Sequence, residues 1–501
     1  MMQTHASWVF LASPLVYKIK QPVDLGFLDF STLEQRHEDC EREVQLNRRL
    51  AEDMYLGVEP ICEQNGRLNL EGKGAVVEWA VKMRELDQSR LLSHLLKEEG
   101  AVGTVEIDRV LKVLVPFYGK QATLTETEQA TATQRLRQSI FDNLKTAKAF
   151  IGQVLSQAAY ETLLHFNEAF FEKQAALLQS RIDEGWIRDC HGDLHAEHIH
   201  LTPEQVCIYD CIEFNTRFRH IDVACDLAFL AMDLDFHHRA NLARHLVGHA
   251  AEQLADPDMK RLLSFYQCYR ACVRGMVACL QSQSETVQAK EKEVSLELAR
   301  RYFQLGLRYA ALGSGGGVVA VMGKVASGKS SLARALGTIL GCEAFSSDRI
   351  RKALAGVAPE KRGNAEERAA LYAAGMTELT YRKLTEDALD QMRQNGWAIA
   401  DATFSKRQDR DTLNAHVSQQ GGHCIWIEAK ANDAATQERL RAREKLPGVV
   451  SDARLEDRSM LDASYEPPYE ILDCISLTSE GGLDKLVRGL LTVLAERQIQ
   501  T

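Results

Sequence analysis

The chain has 501 residues, 45% hydrophobic and 26% charged, which is enough for about two to four packed units and too apolar for a disordered tail. Sixty basic against seventy acidic side chains give a formal net charge of −10, which argues against a broad electrostatic footprint for nucleic acid or an anionic membrane. Residues 313–501 carry 25 basic and 26 acidic side chains, so almost all of the negative excess lies in 1–312, a first sign of two units.

The twelve cysteines are scattered. Cys207/Cys211 and Cys268/Cys272 stand four apart without the second pair that would complete a tetrahedral zinc site, so reduced thiols in a cytoplasmic protein are expected. The amino-terminal MMQTHASWVFLASP lacks a basic region, and no apolar run approaches the ~18–20 residues of a membrane span. No membrane association is expected.

Along the chain, residues 1–115 alternate short apolar runs (SWVFLAS, LVYKIKQPV) with one strongly helical stretch, Thr32 to Asp53, whose Leu33, Val44, Leu46 and Leu50 sit among charges. This pattern predicts a small α+β lobe. Residues 116–312 read as a larger, mostly helical lobe interrupted by IRDCHGDLHAEHIHL and VCIYDCIEF, which read as loop and strand. Within it, Trp186, Phe265, Tyr266 and Tyr269 read as core aromatics, and Arg270 and Arg274 as either anion contacts or braces of the helical lobe. The run Gly313-Ser-Gly-Gly-Gly317 resists helix and is placed as the boundary between domains 1–312 and 313–501. Beyond it GVVAVMG, WAIADATF and HCIWIEA alternate with helical patterns, which predicts an α/β unit with a parallel sheet.

His191-Gly192-Asp193-Leu194-His195-Ala196-Glu197-His198, followed by Ile208-Tyr209-Asp210-Cys211, puts two aspartates on neighbouring loops, a pattern that suits one proton acceptor and one metal carboxylate. Four close histidines (191, 195, 198, 200) beside Asp193 leave a transition-metal site open as a competing reading.

In the carboxy-terminal part, Gly323-Lys-Val-Ala-Ser327-Gly328-Lys329-Ser330 fits G-x-x-x-x-G-K-[ST], follows an apolar strand and opens a helix. Such a turn, here Gly323, Ser327, Gly328, Lys329, Ser330 and Ser331, directs backbone N–H groups at phosphate oxygens, with Lys329 on the β/γ-phosphates and the Ser330 hydroxyl on Mg²⁺. Asp348 in SSDRIRKAL falls where a second strand should end, and there it can take the proton of an attacking hydroxyl or cap a helix. Asp401 ends another strand and is a candidate Mg²⁺ carboxylate. Arg439 and Arg443, four apart in QERLRAREKLPG, can face a transferring phosphoryl together.

SSDRIRKAL, the Tyr372 and Tyr381 helices, ADATFSKRQDR, ERLRARE and SDARLED resemble the small P-loop kinases related to gluconate kinase, polynucleotide 5′-kinase and zeta-toxin kinases, over most of 317–470. The resemblance implies nucleotide and Mg²⁺ on Lys329 and Ser330, an acceptor base at Asp348, and Arg439 and Arg443 in a closing lid. The bulkier Lys324-Val325-Ala326 departs from that pattern.

The H-G-D-x-H segment is similar to the catalytic loop of aminoglycoside and choline-type phosphotransferases, and the whole of 1–305 resembles kinase-like proteins fused to a P-loop kinase. That resemblance implies Asp193 as catalytic-loop base, Asp210 as metal carboxylate, Lys18 as phosphate lysine with Lys20 its competitor, Glu43 as the lysine's partner, and Asp226 as a brace. His198 stands where such folds place a metal-binding asparagine, and imidazole is a poorer partner for a hard cation. Turnover at this centre is therefore expected to be weak, metal-shifted or absent.

The expected protein is thus a bilobal kinase-like α+β domain followed by an α/β P-loop kinase, moving the γ-phosphoryl of ATP, with Mg²⁺, to a small-molecule hydroxyl. A regulatory ATP-binding protein with a pseudokinase sensor is the reading from another class. A nucleic-acid 5′-hydroxyl is a lesser acceptor, disfavoured by the charge.

Overall fold

The computed structural model describes all residues except 1, 4, 5, 25, 27, 285–286, 362, 446–449, 452–453, 457, 479–481 and 501, so part of SDARLED lies outside the described residues. The chain divides into two compact units, the first formed by 1–140, 174–237 and 242–266 and the second by 141–173, 238–241 and 267–501. Among the described residues no helix is long and apolar enough to cross a membrane, and every cysteine is a free thiol.

In the first unit, β1 (Met2–Gln3), β2 (Ser7–Ala12), β3 (Leu15–Lys20), β4 (Tyr55–Gln64), β5 (Arg67–Asn69) and β6 (Ala75–Arg84) form an antiparallel sheet in the order β1-β2-β3-β6-β4-β5. The helix Leu33–Asn47 packs on it through Cys40 and Val44, which join Val16, Tyr55, Val81 and Met83 in one cluster. Thr32 starts that helix with a reciprocal cap, its hydroxyl accepting from the Gln35 N–H at 3.2 Å. The predicted helix to Asp53 ends earlier, at Asn47, because the chain then turns through Leu50 and Ala51 into β4.

Period-two alternation puts Val16, Lys18 and Lys20 of β3 on one face, and four-residue spacing puts Asp39 and Glu43 on one face of the helix. Two lysines and two carboxylates are thereby brought together under the helix.

Two short ribbons carry the loops of interest. β7 (Ile187–Asp189) pairs antiparallel with β10 (His220–Asp222), and β8 (Ile199–Leu201) with β9 (Val206–Ile208). Asp222 caps the buried helix Val223–Phe236 and is gripped by Arg181, which also reaches Asp256, at 2.8 and 2.6 Å. Phe265 and Tyr266 are core side chains, as expected.

The second unit is built on β11 (Gly317–Met322), β12 (Ala344–Ser346), β13 (Trp397–Asp401), β14 (His423–Lys430) and β15 (Ile475–Thr478), all parallel in the order β12-β13-β11-β14-β15. Every residue of β11 and β13 is buried, so both read as apolar runs, as central parallel strands covered on both faces must. Gly313 and Gly316 take positive φ and turn the chain from the helix Ala289–Leu312 straight into β11, so the glycine run lies inside this unit. The carboxy-terminal helix Leu483–Gln500 lies along Gln157–Lys173, with Arg488 on Glu161 at 3.2 Å. Arg270 is buried and sits over the Tyr269 ring, so it serves this helical layer.

Candidate active sites

Parallel strands deliver their carboxyl ends to one edge, and in the second unit Met322, Ser346 and Asp401 end there side by side, with Val321 in register with Asp401 and Asp401 with Ser346. The phosphate loop leaves β11 at Gly323, whose φ is +142° and where a Cβ would lie 2.3 Å from the Ala429 carbonyl oxygen. Gly323→Ala is therefore expected to displace the loop or β14; nucleotide affinity measured by calorimetry should fall at least tenfold while far-ultraviolet circular dichroism is retained. Ala326 (φ 60°) and Gly328 (φ 99°) complete the turn, and Lys329 opens the helix Lys329–Leu340. The bulky Lys324-Val325-Ala326 is accommodated by this left-handed Ala326, which is buried.

Asp401 is buried, and its Oδ1 has no hydrogen-bond partner. Burial raises the pKa of its carboxyl, against the Lys329 charge and a hydrogen bond from Ser330. A buried carboxylate oxygen left unpaired beside an ammonium and a hydroxyl fits the remaining ligand place of a hard cation. Asp348 lies in the first turn of Ser347–Leu354, and its charge is felt by Asp401. Its Oδ1 accepts from the Tyr372 hydroxyl at 3.4 Å, and the Arg351 guanidinium covers the Tyr372 ring. Arg439 donates to the carbonyls of Ala326 and Ser327 at 3.2 and 3.1 Å, so it grips the phosphate loop itself. Arg443 lies one turn further along the same helix, Asp433–Lys445. The sequence did not single out the Tyr381 hydroxyl, which accepts from Phe404 N–H at 3.0 Å and fixes the turn after β13.

The centre in the first unit joins six residues named from the sequence, Lys18, Lys20, Glu43, Asp193, Asp210 and His198. Lys18 Nζ lies 2.9 Å from both Glu43 Oε1 and Asp210 Oδ1. Lys20, buried beneath it, contacts Glu43 Oε2 at 2.6 Å, Asp39 at 2.9 Å and Glu213, so Glu43 is shared by the two lysines. Burial alone would raise the Asp210 carboxyl, but Lys18 and His198 hold it well below the usual range. Burial also pushes Glu213 up, against the charge of Lys20. Asp210 adopts φ 62°, a conformation that a non-glycine residue keeps only where its surroundings enforce it.

Asp193 is presented by a loop that Asp226 ties down: the N–H groups of His191 and Gly192 donate to its oxygens at 3.1 and 2.9 Å, and the Tyr118 hydroxyl at 2.9 Å. Asp226 is fully buried, so Asp226→Ala strands three donors. At about 1–3 kcal/mol for each unpaired buried group, a loss of about 3–9 kcal/mol is expected in urea unfolding.

His191 accepts from Asp193 N–H through Nδ1 and donates from Nε2 to the Tyr209 carbonyl at 2.9 Å; burial lowers its pKa to about 4. His198 bridges the two aspartates, with Nδ1 3.0 Å from the Asp193 carbonyl and Nε2 3.4 Å from Asp210 Oδ2. Burial, reinforced by His195, lowers the pKa of His198. His195 Nε2 is 3.4 Å from Asp193 Oδ2. Of the four histidines, His195 and His198 come together with Asp193 in a group that could hold a metal ion, while the other two do not join it. His191 spends both nitrogens on backbone groups, and His200, on β8, falls under the influence of Asp87 instead.

A family model described as AAA domain matches residues 318–468. Uncharacterized proteins of Mycobacterium tuberculosis (strain ATCC 25618 / H37Rv) and Mycobacterium bovis (strain ATCC BAA-935 / AF2122/97) are 29% identical over 471 residues, covering 92% of this chain and 89% of theirs. Among solved structures, a gluconokinase from Sinorhizobium meliloti 1021 matches 37% of this chain and 95% of its own (18% identity, TM-score 0.26). The GDP and kanamycin complex of an APH(2″) enzyme matches 60% of this chain and 91% of its own (12% identity, TM-score 0.35). A Plasmodium vivax ethanolamine kinase matches 57% and 75% (13% identity, TM-score 0.33). The chain is thus similar to an AAA-domain family over residues 318–468.

Proposed function

We propose that this protein is a phosphotransferase that moves the γ-phosphoryl of ATP to a hydroxyl of a small molecule, with one centre in each of two functional domains, 1–312 and 313–501. The observation that carries the reading is the unpaired, buried Asp401 Oδ1 at the strand edge beside Lys329 and Ser330, with Asp348 on the same edge. Bound there, ATP supplies the phosphoryl group and Mg²⁺ the neutralising charge. Ser330 and Asp401 would hold the ion. Lys329 meets the charge that builds on the transferring oxygens. Asp348 accepts the acceptor's proton, held toward it by Tyr372. Arg439 keeps the phosphate loop in its turn, and Arg443 follows it one turn along the same helix.

At the amino-terminal centre Lys18, oriented by Glu43, binds phosphate oxygens, and Asp193 takes the proton. The donor set there, with an imidazole in place of an amide, suits Mg²⁺ poorly. A small hydroxyl acceptor is supported over a nucleic acid by the net charge of −10, and free thiols are consistent with work in the cytoplasm.

The test is ATP consumption by wild type, Lys329→Ala and Asp193→Ala with a pooled metabolite extract, followed by mass spectrometry for products heavier by one phosphoryl. Two products, each removed by a different variant, support two kinase centres. ATP hydrolysis with no phosphorylated product would favour a regulatory nucleotide-binding protein.

A further inference from the structure

His245 and His249 stand four apart, a spacing that on a helix puts both imidazoles on one face, one turn from each other. Both lie on the helix Ala240–Gln253, with their ring centroids 3.9 Å apart. Neither belongs to the centres described above. The helix Thr104–Lys120 of the same unit brings Asp108 against them. His245 Nε2 lies 2.8 Å and His249 Nδ1 3.3 Å from the same oxygen, Asp108 Oδ1.

Charge and convergence separate this group from an ordinary surface ion pair. Among the described residues no lysine or arginine pairs with Asp108, whose printed partners are the two imidazoles. The adjacent Arg109 donates instead to the carbonyls of Thr202 and Pro203, at 2.5 and 3.0 Å. One hydrogen bond to the carboxylate needs one imidazole, yet a second is aimed at the same oxygen, and all three donor atoms lie within 4.8 Å of one another. A tetrahedral ion about 2.1 Å from each donor holds its ligand atoms about 3.4 Å apart. His249 already has that spacing to Asp108, and His245 has to withdraw by about 0.6 Å from its 2.8 Å contact. The side chains of Asp108 and His249 are 38% and 45% exposed, so an ion enters from solvent without the fold opening. Two imidazoles one helical turn apart, completed by a carboxylate from a second element, suit Zn²⁺ rather than the hard cations Mg²⁺ and Ca²⁺, which take oxygen ligands.

We propose that Asp108, His245 and His249 form a binding site for a divalent cation of the Zn²⁺ class, with water in the fourth place, which clasps the helices Thr104–Lys120 and Ala240–Gln253 together. The site shares no residue with either proposed phosphotransfer centre and does not depend on that reading. Thr104–Lys120 also carries Tyr118, whose hydroxyl donates to Asp226 behind the Asp193 loop, so the ion fastens a helix that braces the amino-terminal centre. An ion held by the folded chain and not by the unfolded one stabilises the fold as its concentration rises.

Zn²⁺ is titrated by calorimetry, without nucleotide, into the metal-free full chain carrying Asp193→Ala, which breaks the other metal-capable group, Asp193, His195 and His198. One equivalent is expected to bind and to raise the thermal midpoint of unfolding. Co²⁺ in its place is expected to give the visible absorption bands of a tetrahedral ion. His249→Ala should weaken Zn²⁺ at least tenfold and abolish both the midpoint shift and the bands, while leaving the midpoint of the metal-free chain where it was. Asp108→Asn keeps the shape and one acceptor oxygen but removes the charge; it should also weaken Zn²⁺ at least tenfold, which guards against a packing defect peculiar to alanine at 249. Zn²⁺ affinity unchanged by His249→Ala or by Asp108→Asn, or Co²⁺ bands that survive them, would overturn the site. Binding that depends on these residues yet shifts no thermal midpoint in the parent chain would overturn the clasp.

Discussion

Lys329→Ala is expected to remove one phosphorylated product entirely while leaving the other, and to lower turnover assigned to the carboxy-terminal centre by at least about a hundredfold, the scale of losing one preorganised charge aimed at a transition state. Lys329 is the first residue of the helix Lys329–Leu340, so its ammonium adds to the amide N–H groups that open that helix, and its charge already opposes the burial of Asp401. Alanine is a better helix former than lysine, so the fold should be kept and the thermal midpoint should move little. Two measurements separate the possibilities: product formation by mass spectrometry and ATP affinity by calorimetry. If the product assigned to this centre persists at the wild-type rate, Lys329 does not serve a transferring phosphoryl, and the carboxy-terminal assignment fails.

Much of this site was legible because its signals are local. A phosphate loop needs glycines where φ turns positive and a lysine at a helix start, and both Gly323 and Gly328 occupy such positions. The parallel sheet was legible for a related reason, since strands buried on both faces leave uninterrupted apolar runs such as GVVAVM. The chemistry of Asp401 was only half legible. Its place at a strand end can be read from the sequence, but the unpaired Oδ1 depends on β12 and β13 lying side by side.

The amino-terminal centre shows the opposite balance. Lys18 and Glu43 were paired by resemblance, and they do meet, but no local pattern revealed that Lys20 lies beneath them with Asp39 and Glu213. That nest is made by β3 alternation meeting helix spacing, with Glu213 arriving from 193 residues away in sequence. Glu43 is held from both sides, so its orientation toward Lys18 does not depend on Lys18 alone. His198 was legible as a departure from an asparagine; what it does was not, because the tautomer follows from a carbonyl five residues back.

Asp193→Ala carries the second large expectation, a fall of about 10²–10⁴-fold in the product assigned to the amino-terminal centre, the range of a general base. Asp193 sits on a loop whose backbone is fastened elsewhere, by Asp226 to His191 and Gly192 and by Asp233 to Ala196. Its side chain is a third exposed and lies 3.4 Å from His195 and 3.6 Å from His198. Truncation should therefore cost less than about 1 kcal/mol of stability, in contrast to Asp226→Ala, and should leave nucleotide affinity, proposed above to rest on Lys18 and Asp210, within a fewfold of wild type. That combination, lost turnover with retained binding and folding, is what a group acting only on the acceptor's proton predicts. If instead Asp193→Ala leaves every product untouched while Lys329→Ala abolishes turnover, the first unit does not transfer phosphoryl groups. The assembled Lys18, Glu43, Asp210 and His198 would then be a sensor for a nucleotide and its ion.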